Sequence, residues 1–138
     1  MIYYEKIPEY KYKLCSSEDL IISEDMRQFI TERIHTAYYS LCPSGYITAW
    51  VGYAWNGASG IPDTSSNTVP SLVHDIWYQA IRDSHLPMEA REAGDIWFGD
   101  QCHNRGTPRL VANVYTNVLV NFGERYATPR KSEILTAS

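Results

Sequence analysis

The 138 residues carry 44% apolar and 20% charged side chains, enough for one globular core and too few for two. A net charge of -4 and a pI of about 5.5 give no electrostatic grip on nucleic acid or anionic membranes, so no nucleic-acid partner is expected. No apolar run approaches the ~20 residues of a spanning helix, and MIYYEKIPEY lacks the apolar core of a leader. The chain is therefore expected to be soluble as made, with no transmembrane segment.

In chain order, YKYKL (10–14) alternates strictly and DLIIS (19–23) is short and β-branched, and both read as strands. SEDMRQFITERI (23–34) stays open between a helical turn capped by Ser23 and a continuing strand. TAYYSLCPSGYITAWVGYAW (36–55) reads as two strands joined at Pro43-Ser44-Gly45. Three cysteines, Cys15, Cys42 and Cys102, are an odd count without a CxxC, which fits a reducing compartment. Cys102 and His103 are adjacent on a helical stretch and point apart, a poor half of a zinc site.

WNGASGIPDTSSNTVPS (55–71) holds two glycines, two prolines and a Ser/Thr/Asn/Asp cluster. Loops of this length inside a compact domain are usually functional or disordered, and the strand-like lead-in favours an ordered one. Three helices follow. The first is expected over about 69–83, with Asn67 or Thr68 as N-cap and Pro70 in the first turn. The second is expected over about 88–104, between Pro87 and Gly106, and the third over about 107–123. Thr107 reads as the third helix's N-cap and Pro108 as its first position. Val111, Val114, Tyr115, Val118 and Phe122 read as its core face, with Gly123 as its end. Trp50, Trp55, Trp77 and Trp97 read as core or loop-pinning residues, and His35 and His85 as surface or strand positions. The expected architecture is a single α+β domain over 1–138. A small N-terminal antiparallel sheet (about 10–55) leads through a loop (55–68) into a three-helix C-terminal half, with a partly frayed tail (124–138).

One constellation points to chemistry. His74, Tyr78 and Ile81 share a face of the first helix at i, i+4 and i+7, and Asp95, Phe98 and Cys102 share one on the second. With the helices antiparallel across residues 83–87, His74 and Asp95 lie equally far from the turn and can meet. A carboxylate on one imidazole nitrogen fixes the tautomer and leaves the other nitrogen as a base. Tyr78 can donate to the same carboxylate. Asp75 points about 100° away from His74 on a helix, toward the loop, where Gly57 and Gly60 let backbone carbonyls converge beside it as hard-cation ligands. The competing reading is a buried His-Asp strut with Tyr78 as packing.

GYAWNGASGIPDT, SLVHDIWYQ and EAGDIWF resemble a family of small uncharacterised phage and bacterial proteins. The family signature is a GYxWDGASGP-type loop, an HDxxY helix and an AD-containing helix. The resemblance spans about Tyr46 to Gly123 and implies a phage or prophage origin, synthesis in the host cytoplasm and possible virion association. Asn56 stands where the family usually carries Asp, which puts metal affinity in doubt; Ser59 and Asp63 complete the loop signature. The same motifs are similar to secreted and viral phospholipases A2. That similarity implies His74 as general base, Asp95 orienting it and Tyr78 supporting Asp95. It also implies Asp75 with carbonyls of the Trp55–Gly60 loop, including Trp55, Gly57 and Gly60, as a Ca²⁺ site. The chain departs from phospholipases at Leu72-Val73, where paired cysteines usually precede the motif, in the glycine spacing and in its sheet-first order.

Two functions are expected to compete. One is a Ca²⁺-dependent hydrolase acting on a lipid or other ester. The other is a non-enzymatic phage accessory, or an inhibitor of a host factor, that binds a host or phage protein. A metal-dependent phosphohydrolase of adjacent His-Asp type is a distant third, because it needs further histidines and His35 is the only upstream candidate.

Overall fold

The structure is a computed structural model and describes residues 4–5, 12–58 and 60–128. It is α+β, with strands first and helices after. The strands are β1 (Tyr4–Glu5), β2 (Tyr12–Leu14), β3 (Glu18–Ile21), β4 (Ile34–His35), β5 (Tyr39–Cys42), β6 (Tyr46–Ala49) and β7 (Ala54–Trp55). They form two antiparallel sheets rather than one, ordered β1-β2-β7 and β3-β6-β5-β4. The β5–β6 hairpin turns at 43–45, where Gly45 takes φ +108. The Tyr46–Trp55 stretch is divided: β6 stays in the four-stranded sheet, whereas β7 crosses to pair with β2. The open segment after Ser23 is helical over α1 (Glu24–Arg27), where Ser23 Oγ accepts from Met26 N at 3.2 Å.

The helices are α2 (Thr68–Arg82), α3 (Arg91–Asn104, preceded by a 3-10 turn at Met88–Ala90), α4 (Arg109–Phe122) and α5 (Glu124–Ala127). α2 is buried nearly all round: Leu72, Val73, Ile76, Trp77, Ala80 and Ile81 meet the sheets and α3. Its polar groups must therefore find partners inside the fold. Trp55 and Trp77 are fully buried core residues, as their composition suggested.

One expectation is refined and two are corrected. Asn67 is the N-cap of α2, its carbonyl accepting from Ser71 N at 2.8 Å, but its side chain makes no capping bond. Its amide instead accepts from Thr64 N and donates to Pro62 O at 2.6 Å, stapling the preceding loop. Thr107 does not cap α4 either: Pro108 occupies that position, and Thr107 Oγ1 donates to Ser66 Oγ at 3.0 Å, tying the same loop down.

The core face assigned to α4 is also rotated. Ala112, Tyr115 and Leu119 are buried, whereas Val111, Val114 and Phe122 are exposed. The cause is the α3–α4 crossing. Gly99 lies so close to Ala112 and Thr116 that a Cβ there would collide with the Thr116 hydroxyl, and this contact fixes α4's rotation. Within the region expected to fray, α5 forms and buries Ala127; the remainder, 129–138, lies outside the described residues.

Candidate active site

α2 and α3 oppose each other in antiparallel order: Trp77 Nε1 donates to Ala90 O at 2.8 Å, and three residues earlier on α2 His74 reaches Asp95. Gly94 makes the approach possible, because a Cβ there would overlap the Trp77 indole. Without a side chain at 94 the helices close, and the next residue, Asp95, is carried into contact with His74.

His74 Nε2 stands 2.8 Å from Asp95 Oδ1, and the Tyr78 hydroxyl donates to the same oxygen at 2.6 Å. The carboxylate accepts, so Nε2 carries a proton, and in the neutral ring Nδ1 then presents the lone pair. The ring is held on two further sides, tilted against Tyr78 at 4.2 Å and edge-on to Phe98 at 5.3 Å between centroids. Nδ1 makes no hydrogen bond among the described residues. His74 as a whole is 5% exposed.

Asp95 is fully buried, and its second oxygen is bound by Arg91 Nη1 at 3.2 Å. Arg91 was missed at the sequence level, although its i,i+4 spacing to Asp95 was a readable signal. It also donates to Leu119 O at 2.8 Å, which accepts from Gly123 N as well, and to Val120 O at 3.0 Å, in the last turn of α4. A third element thus anchors the carboxylate. Burial pushes the Tyr78 phenol well above its ordinary range and the charge of Asp95 pushes it further, so Tyr78 acts as a donor and not as a base.

Asp75 is engaged differently from the expectation. Its Oδ2 accepts from the Tyr53 hydroxyl at 2.6 Å, and Gln79 Oε1 lies 2.8 Å from the same hydroxyl. One phenol proton serves one acceptor, so the Gln79 amide is best turned to donate its N–H to Tyr53. Burial raises the Asp75 pKa, with the Tyr53 hydrogen bond and the Arg82 charge opposing it. Nothing in the sequence pairs Tyr53 with Asp75, because the tyrosine comes from the turn before β7.

The loop residues divide. Trp55 belongs to β7 and donates through Nε1 to Ser71 Oγ at 3.0 Å, fastening the loop entrance to α2. Gly57 takes φ +83, with the Asp63 carboxylate where its Cβ would be. Gly60 takes φ +80 against Val118, and Ala58 and Ile61 pack onto Phe98, Tyr115 and Leu119. Asn56 and Asp63 are exposed, and Ser59 lies outside the described residues. The loop therefore drapes over the α3–α4 cluster. For Ca²⁺, Asp75 is the one carboxylate the expectation supplies; its Oδ2 accepts from Tyr53, and burial raises its pKa, which disfavours the anion a hard cation takes. Among the described residues no three His, Cys, Asp or Glu side chains gather as a metal site. His35 bonds Ser40 at 2.8 Å, and buried Cys102, its pKa pushed up to about 12 by burial, sits apart from His103, which bonds Thr107 O. No described helix is long and apolar enough to cross a membrane.

What the arrangement can do is hold one imidazole in a fixed orientation, with a buried carboxylate on one nitrogen and no hydrogen bond among the described residues on the other. Compared with family models, with curated proteins and with solved structures, the chain matches none.

Proposed function

We propose that the protein is a hydrolase in which His74 is the general base, Asp95 its positioning carboxylate and a lipid or other ester the substrate class. The observation that carries this reading is the unequal use of the imidazole: Nε2 is bound to Asp95 at 2.8 Å, while Nδ1 makes no hydrogen bond among the described residues. In the reaction, Nδ1 takes a proton from water as the water oxygen bonds to the ester carbonyl. The imidazolium formed is stabilised by the Asp95 carboxylate, which Tyr78 and Arg91 hold in place. The proton then passes to the departing alkoxide as the ester C–O bond breaks. General-base assistance of this kind is worth about 10²–10⁴ in rate. Purified protein should release fatty acid from phospholipid vesicles or acid from simpler esters, and His74→Gln should remove that turnover while the fold persists. Absence of turnover on every ester offered, by folded protein, would overturn the reading.

A second reading is supported by a different observation. Arg91 joins Asp95 to the C-terminal carbonyls of α4, so the same cluster ties α2, α3 and α4 together. In a non-enzymatic phage accessory or host-factor inhibitor, that cluster would serve as a strut and a protein would be the partner. His74→Gln would then cost stability and leave binding by the folded fraction unchanged.

A further inference from the structure

Among the described residues, nothing covers an apolar surface carried by α4. Leu110 is 81% exposed, Val111 40%, Val114 57% and Phe122 71%. From Leu110 to Gly123 there is no charged residue, and the exposed positions between the apolar ones are Asn113, Asn117 and Asn121. A solvated helix face ordinarily carries charge. Leu110, Val114, Val118 and Phe122 follow one another at intervals of four and form a single ridge along the helix. At its C-terminal end the ridge runs into a cavity of about 220 Å³, whose walls include Gly60, Val118, Phe122 and Tyr126.

We infer that this face is the contact between two copies of the chain, packed α4 against α4 in antiparallel order about a two-fold axis passing by Thr116. The ridge is symmetric about that residue. An antiparallel partner therefore sets Leu110 opposite Phe122 and its cavity, and Val114 opposite Val118, twice over. This self-matching is what an isologous contact requires. The charges agree with the register. Arg109, which pairs with Asp100 of its own chain at 3.0 Å, and Glu124 flank the uncharged stretch at opposite ends, so the antiparallel arrangement extends each Arg109–Asp100 pair toward a glutamate's end of the partner helix, whereas a parallel one would set like charges together. The asparagines supply hydrogen bonds at the rim. α4 spans about 21 Å, and two such faces bury on the order of 1,000 Å², the lower limit of a specific interface, so the dimer is a weak one.

Sedimentation velocity on the full chain across a concentration series tests this. The expected result is a monomer–dimer equilibrium with Kd in the micromolar range. Val114→Lys or Leu110→Lys, both at exposed positions, should weaken it by roughly tenfold or more with unchanged circular dichroism. Arg109→Glu or Glu124→Arg alone should weaken it, and the double exchange should restore it. A monomer at every concentration up to about 1 mM, where even weak specific contacts associate, would overturn the inference. So would a dimer that survives Val114→Lys and Leu110→Lys unaltered.

Discussion

Tyr53 donates its phenol to Asp75 at 2.6 Å, so the two members of the His74-Asp75 pair belong to different structures. His74 faces α3, and Asp75 faces the turn before β7. Burial holds the Asp75 carboxyl above its ordinary value of 3.8. The native state therefore binds more protons than the unfolded state as pH rises from about that value through the folded pKa. Stability falls across this window, and the penalty is complete above it. Asp75→Asn keeps an acceptor for Tyr53 and removes the penalty. Thermal melts should show a higher Tm than wild type at pH 7 and the same Tm below both pKa values. If Asp75 serves as a cation ligand instead, Ca²⁺ should raise the wild-type Tm, and the asparagine variant should lose that response.

Gly123 follows α4 at φ -79, a conformation any residue adopts, so it is not there for backbone freedom. Its missing side chain makes room for the Tyr78 hydroxyl, with Leu119 O and Arg91 Nη1 also against it. Gly→Ala at an unstrained position usually stabilises by ~0.4–1 kcal/mol. Here the methyl would push Tyr78 off Asp95, and Gly123→Ala should instead destabilise by roughly 1–3 kcal/mol, read by urea denaturation.

Arg91 binds one carboxylate oxygen and two terminal carbonyls at once. Arg91→Met removes the third donor from a fully buried Asp95 and the side-chain donor from Val120 O, while Leu119 O keeps its bond from Gly123 N. Breaking a buried ion pair costs about 3–5 kcal/mol. Arg91 keeps some solvent contact, and His74 and Tyr78 remain on Asp95, so a loss of roughly 2 kcal/mol is expected. Arg91→Lys should recover only part of it, since one ammonium cannot span both carbonyls and the carboxylate. Denaturant midpoints for the two variants check the order.

Much of this was legible from the sequence wherever a local rule decided the outcome. Pro87 and Gly106 bracket α3 within a few residues, and Pro43-Ser44-Gly45 makes the β5–β6 turn. The meeting of His74 with Asp95 follows from equal distances to the α2–α3 turn. What escaped was set by contacts between distant segments. α4 is apolar nearly all round, so its sequence supports more than one stripe. The choice between them was made by Gly99 pressing on Ala112 and Thr116. Thr107 has the chemistry of a cap, but its hydroxyl goes to Ser66, forty-one residues away. Sequence order points Asp75 to the loop that precedes it, whereas its partner Tyr53 lies before the loop begins.

The central claim is that Asp95 holds His74 with the proton on Nε2 and the lone pair on Nδ1. Long-range ¹H–¹⁵N correlation spectra of the histidines read this directly, without a substrate. The account predicts that neutral His74 shows a protonated Nε2 and an unprotonated Nδ1, and that Asp95→Asn disturbs this preference. A His74 ring protonated at Nδ1 with Nε2 bare, or one whose tautomer is unchanged in Asp95→Asn, would contradict it.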